Sequence, residues 1–274
     1  MDEPTIVTLA DPEACSLAAA ERIVEILDVA IDDRGEAHWA TTGGSAPGGI
    51  YRHLAGPLRD ELDWRKVRLW WTDDRFVPYD HPLSNVKLAF DLLLDASAFS
   101  GASGTGASGA DVLLGHQPGV PIRASDVHPF PTADAIGEGR DPDWCAGQYV
   151  HELLADGPDL NGNELPAFDL VLLGVGPDGH ILSVFPDSDS FDRDEWAFGV
   201  PAPTHVEPHV ARVTLSPRLV SAANEIVVVC HGEAKAEILR DVLHGAVEPR
   251  RLPAQLARRP GATWIVDRAA AALL

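Results

Sequence analysis

The chain has 274 residues, of which 45% are apolar, with 42 acidic side chains against 21 basic ones and a formal charge of −21. Length and apolar content suffice for a full hydrophobic core. The acidic excess argues against nucleic acid and anionic membrane surfaces, both of which attract basic patches, so neither is expected as a partner.

Residues 5–10 read as a first strand, followed by Asp11 as an N-cap and Pro12 at the first helical position. Leu17, Ala20, Val24, Leu27 and Ile31 then recur at helical spacing and predict one core-facing stripe. Residues 37–42 form the second predicted strand, running into Gly43-Gly44-Ser45-Ala46-Pro47 and a short helix over 50–58. VRLWWT (67–72) is a third strand that ends in Asp73-Asp74-Arg75. Ser84 caps a helix whose Val86, Leu88, Phe90, Leu93 and Leu94 cover a broad face.

Residues 97–111, SAFSGASGTGASGAD, are too small and polar to build a core and read as a flexible surface loop. Residues 127–131 are short and extended, and 142–154 return to a helical pattern. Phe168 to Leu173 is an apolar run of the kind buried in parallel sheets. It ends in Gly174-Val175-Gly176-Pro177-Asp178-Gly179-His180, where Pro186 limits any following helix to about two turns. The acidic, proline-rich stretch 187–208 reads as a second long loop. Strands at 212–216, 225–230 and 264–266 and a helix at 233–243, with Ala236, Leu239, Val242 and Leu243 inward, complete the set. Asp267 caps a last helix over 268–274. Strands alternate with helices throughout, which predicts an α/β fold: one domain over 1–274, a mostly parallel sheet and helices on both faces.

Cys15, Cys145 and Cys230 are odd in number and lack metal-binding spacing, so they are expected as reduced thiols. The start MDEPTIVTLADPEA lacks a signal-peptide pattern, and no run of 18 apolar residues occurs to span a membrane. A cytoplasmic protein is expected, as a monomer or small homo-oligomer.

Ligands of open α/β sheets bind at the carboxyl ends of strands, and four constellations fall there. The first is Asp178-Gly179-His180, an acid and an imidazole two residues apart on a glycine-flanked turn. It formally contains G-x-G-x-x-G, but a dinucleotide fingerprint requires a long helix and an early βαβ position; otherwise His180 simply packs the turn. The second is Gly43-Gly44-Ser45, whose backbone N–H groups suit a phosphate. A serine-hydrolase elbow is rejected there because Pro47 stands where G-x-S-x-G needs glycine. The third is Asp73-Asp74-Arg75 with Ser84-Asn85, either an internal ion pair or a guanidinium fork for phosphate or carboxylate. The fourth is Gly232-Glu233-Ala234-Lys235, with a lysine where the chain otherwise prefers arginine. His205 and His209 have i, i+4 spacing, but Pro203 and Pro208 deny them a helix that would face both at a metal. The acidic run Asp187, Asp189, Asp192 and Asp194 lacks the glycine and final glutamate of a calcium loop. Both are read as solvated loop, and no metal or cofactor is expected.

LGVGPDGHILSVFP resembles the signature of the 6-phosphogluconolactonases, close to L-G-x-G-x-D-G-H-x-x-S-x-F-P. Gly43-Gly44-Ser45, WRKVRLWWTDDRFVP with the following SN, RVTLS and GEAKA occur in the order that family shows. The chain departs in having Asp74 where the family usually has Glu, and Val184 where it has Leu. The related glucosamine-6-phosphate deaminases typically continue the Asp-Gly-His turn with I-A-F-N-E-P, unlike Ile181-Leu182-Ser183-Val184-Phe185-Pro186 here. The resemblance implies a modified Rossmann-like fold and hydrolysis of 6-phospho-D-glucono-1,5-lactone in the oxidative branch of the pentose phosphate pathway. It implies His180 as general base with Asp178 orienting it. Phosphate and substrate contacts are expected from Gly43, Gly44, Ser45, Asp73, Arg75, Asn85, Arg212 and Lys235. The alternatives are a deaminase or isomerase of amino-sugar phosphates, in which His180 assists ring opening, and a non-catalytic sugar-phosphate sensor. A sensor should carry a helix-turn-helix and a basic surface; this chain has neither.

Overall fold

The computed structural model describes residues 3–95 and 119–274, so the small-residue tract at 97–111 lies outside the described residues. In chain order the regular elements are β1 (Thr5–Leu9), α1 (Pro12–Arg34), β2 (Ala37–Thr41), α2 (Pro47–Ala55), β3 (Val67–Trp71), β4 (Asp73–Arg75), α3 (Asn85–Leu92), β5 (Val127–His128), α4 (Thr132–Gly137) and α5 (Pro142–Asp156). They continue with β6 (Leu170–Gly174), β7 (Ala197–Val200), β8 (Arg212–Leu215), α6 (Pro217–Ala222), β9 (Glu225–Cys230), α7 (Ala236–His244) and β10 (Ala262–Asp267).

Seven strands form one sheet in the order β1-β10-β9-β6-β2-β3-β5, and every pairing in it is parallel. Helices cover both faces, as the alternation of elements predicts. The central strands are buried along nearly their whole length, which is why their sequences are unbroken apolar runs rather than alternations. Edge strand β1, by contrast, is exposed at Thr5, Ile6 and Thr8. Trp39, Trp70 and Trp264 fill the core without solvent contact. The sheet grows from β2 towards β3 in one direction and from β6 towards β9 in the other. The carboxyl ends of β2 and β6 therefore flank a topological switch point, where such sheets open a crevice.

Several expectations are corrected. Asp73-Asp74-Arg75 does not merely end the third strand: it is a strand of its own, β4, in a separate sheet of order β4-β8-β7, antiparallel at both pairings. The expected loop over 187–208 accordingly contains β7, whose Phe198 is buried; alternation in so short a segment is a weak signal beside its prolines and acids. In α1 the expected stripe is buried at Ala20, Leu27 and Ile31 and partly at Val24, while Leu17 is exposed; the inner face is wider and also takes in Ala19, Ile23, Ile26 and Ala30. In keeping with the limit that Pro186 sets on any helix there, none follows the Asp178-Gly179-His180 turn, and Ile181 and Val184 close a short bridge. The last predicted helix is a single 3₁₀ turn, Ala270–Leu273, with Ala270 N–H donating to Asp267 at 2.8 Å. The caps at Asp11 and Ser84 form as expected. No described helix is long and apolar enough to cross a membrane.

Candidate active site

At the switch point lies a cleft of about 220 Å³ lined by the carboxyl ends of β2, β6 and β9 and by the small antiparallel sheet. It brings together Gly43, Gly44, Ser45, Asp73, Arg75, Asn85, His180, Arg212 and Lys235. Among the expected site residues only Asp178 is outside the lining, and it touches His180 directly.

The imidazole is set by its own turn. Asp178 Oδ1 accepts from His180 Nδ1 at 2.5 Å and from the His180 backbone N–H at 3.2 Å. With its proton on Nδ1, the ring leaves Nε2 as a free acceptor. The side chain is 14% exposed and packs on Phe185 at 4.8 Å between ring centres. Gly176 is needed for this arrangement, because a Cβ there would stand 2.1 Å from His180 Nδ1. Burial alone would raise the Asp178 pKa, but the hydrogen bond and charge of His180, helped by His205, hold the carboxyl well below its usual range.

The turn is tied to the second sheet by the signature serine. Ser183 Oγ donates to Asp73 Oδ2 at 2.6 Å, and Ser183 N–H donates to Thr214 Oγ1 at 3.3 Å. Asp73 thus braces β4 against the Asp178-Gly179-His180 turn. Asp74 is fully buried and accepts from the N–H groups of Arg75 and Asn85, both at 2.7 Å, and from Ser84 Oγ at 3.0 Å. Burial pushes its pKa up to about 7 against those hydrogen bonds, with Asp73 adding to the rise. Asn85 Nδ2 donates to Asp73 O at 2.9 Å, which fixes the start of α3 against the cleft.

The cations come from both sheets. Arg75 and Arg212 are directly opposite each other across the β4–β8 ladder. Like charges so placed repel. Arg75 does not pair with its flanking acids: Nη1 donates to Leu83 O at 2.8 Å, and Nε is buried without a partner. Arg212 Nη2 donates to Pro208 O at 3.1 Å, and its Nε is likewise buried and unpartnered. Burial draws the Arg212 pKa below its ordinary value, with Asp73 opposing and Arg75 adding to the drop. Lys235 reaches back from the start of α7 to Val175 O at 2.7 Å, which holds its ammonium beside β6. On the far wall the N–H groups of Gly43, Gly44 and Ser45 enter no hydrogen bond among the described residues. Tyr51 stiffens that loop through Thr41 Oγ1 at 2.7 Å and Thr42 O at 3.2 Å. Two guanidiniums with spare donors, a lysine and free amides line one concavity, a donor set whose chemistry suits an anion.

Sequence reasoning missed Val206, Glu207, Cys230 and His231 in the lining, and the contact of His205 Nε2 with Asp178 Oδ2 at 3.0 Å. The reading of His205 as solvated loop is corrected by that contact, although its side chain remains 53% exposed. His209 turns away, its Nδ1 on Pro203 O at 2.7 Å, and no group of three or more metal-ligating side chains converges among the described residues.

The family model for glucosamine-6-phosphate isomerases/6-phosphogluconolactonase matches residues 10–266. The 6-phosphogluconolactonase of Streptomyces coelicolor is 32% identical over 278 aligned residues, covering 100% of this chain and 95% of that protein. That of Mycobacterium tuberculosis is 31% identical over 265, covering 96% of each. The solved 6-phosphogluconolactonase of Trypanosoma brucei has a TM-score of 0.77 at 26% identity and covers 100% of both chains. The chain belongs to the family of glucosamine-6-phosphate isomerases and 6-phosphogluconolactonases.

Proposed function

We propose that this protein hydrolyses 6-phospho-D-glucono-1,5-lactone to 6-phospho-D-gluconate, in the cytoplasm and in the oxidative branch of the pentose phosphate pathway. The observation that carries the reading is the pairing, across one cleft, of a carboxylate-held imidazole with two arginines whose buried Nε donors lack partners. An orphaned buried donor costs about 1–3 kcal/mol, so a phosphate that accepts from both arginines relieves that cost and their mutual repulsion.

The δ-lactone is an activated ester, so water plus a base suffices. His180 Nε2 takes a proton as the water oxygen attacks C1 of the lactone. The developing imidazolium is stabilised by Asp178 through Nδ1–H. The bond from C1 to the ring oxygen then breaks, and the imidazolium proton goes to that oxygen as it leaves, returning His180 to its starting form. Phosphate held by Arg75, Arg212, Lys235 and the 43–45 loop fixes the far end of the sugar, which makes the attack an oriented, effectively unimolecular event. General-base assistance of this kind contributes roughly 10²–10⁴-fold.

The direct test is lactone consumption by purified protein against the spontaneous background, with a chelator present. Hydrolysis above background that survives chelation is expected, because the chemistry requires no Lewis acid. Loss on chelation with recovery on adding zinc overturns the water-and-base mechanism.

A further inference from the structure

We propose that His205 is a positioning residue for the base, acting on His180 through Asp178; the kinetic half of this inference rests on the lactonase reading above. Asp178 is shared between two imidazoles. Its Oδ1 meets His180 Nδ1 at 2.5 Å, and its Oδ2 meets His205 Nε2 at 3.0 Å. Both rings also pack on Phe185, at 4.8 Å and 5.5 Å between centres. A carboxylate bound through one oxygen alone is free to turn about its terminal bond. A second donor on the other oxygen fixes its plane and keeps Oδ1 aimed at Nδ1.

The same donor has an electrostatic effect. An N–H on Oδ2 draws charge from Oδ1 and so lowers the proton affinity that Asp178 confers on the His180 ring. His205 therefore tunes the base as well as holding its partner. The groups facing His205 are few. Asp178 and, across it, His180 come from the catalytic turn, while Phe185 follows that turn and carries the Arg212 guanidinium 5.5 Å from its ring centre. On its own loop Glu207 stands against His209 at 3.1 Å. That loop, between β7 and β8, also places Val206 and Glu207 in the cleft wall, so the His205 contact pins the wall to the catalytic turn. Because the His205 side chain is half exposed, replacing it disturbs the core little, and effects on the base can be separated from effects on folding.

The test compares His205→Ala and His205→Gln in the full chain, reading kinetics and the titration of the His180 ring by NMR. His205→Ala is expected to lower kcat about three- to tenfold with KM within about twofold. The acid limb of kcat and the His180 titration should both move to higher pH by about half a pH unit. His205→Gln, whose amide N–H reaches the position of Nε2–H, should restore both. An unmoved His180 titration in His205→Ala overturns the proposal whether or not the protein hydrolyses lactone. Gln behaving like Ala overturns it too, since only the ring's packing on Phe185 would then matter. A shifted and Gln-restored titration in a protein with no lactonase activity upholds the coupling and removes the proposed function alone.

Discussion

At one end of the cleft, Asp178 and His180 come from a single turn after β6 and orient each other across two residues. At the other end, Arg75, Arg212 and Lys235 arrive from β4, β8 and the start of α7, and no two of them are close in sequence. The proposed base is thus a local device, complete once the turn forms. The proposed anion site comes together only when the small antiparallel sheet docks beside the large parallel one. Their acids differ in the same sense. Asp178 is held ionised by two imidazoles, whereas Asp74 is buried among backbone donors with its pKa raised to about 7. A site divided this way should fail in distinguishable modes, chemistry at one end and substrate discrimination at the other.

The largest effect is expected at the local end. His180→Gln keeps approximate size and some hydrogen bonding but loses proton acceptance, and kcat should fall by roughly 10²–10⁴. Binding of 6-phosphogluconate, measured by calorimetry, should change little. A near-normal kcat would make the turn a structural feature and dissolve the contrast.

At the assembled end, Arg75→Ala and Lys235→Ala should each cost about 1.5–3 kcal/mol of transition-state stabilisation for the phosphorylated lactone, the value of a charge-assisted contact. The unphosphorylated lactone should be nearly unaffected. Parallel kcat/KM measurements on the two substrates decide the point, and equal losses would remove these residues from phosphate binding.

Gly43 probes how tightly the assembly is packed. A Cβ there would lie 1.7 Å from Asn85 Oδ1, so Gly43→Ala should destabilise by about 1–3 kcal/mol in urea unfolding. Adding Asn85→Ala should recover part of that loss, because the clash is with that side chain.

The smallest effect is a difference in slope. Asp74 stays protonated in the folded chain up to about pH 7, while the unfolded chain has released that proton by about pH 4. Over that window the unfolded state binds fewer protons, so this group's contribution to stability falls as pH rises. Asp74→Asn keeps an acceptor for the Arg75 and Asn85 amides without a charge to bury. Its urea midpoint should gain on the wild type between pH 5 and pH 8. Asp178 is the opposite case: its lowered pKa gives stability present above the unfolded value and lost as pH falls through the folded one. Asp178→Asn should accordingly be the less stable chain at neutral pH, with the difference shrinking only in strong acid.

By itself the sequence determined the alternation of strands and helices, the buried central strands, and the Asp178-Gly179-His180 turn. These depend on near neighbours: apolar runs that only a doubly covered sheet buries, caps such as Asp11 and Ser84, and an acid two residues from a histidine. Tertiary structure alone decided that Asp73-Asp74-Arg75 is a strand and that Arg75 faces Arg212 across it. It also decided that Ser183 braces Asp73, and that His205 turns to Asp178 rather than towards a metal with His209. Each of those joins segments far apart in the chain through charges and hydrogen bonds, whose partners leave no periodic trace in sequence. The family resemblance already named the residues of the expected anion site, but that Arg75 and Arg212 keep their buried Nε atoms without a partner is visible only in the fold.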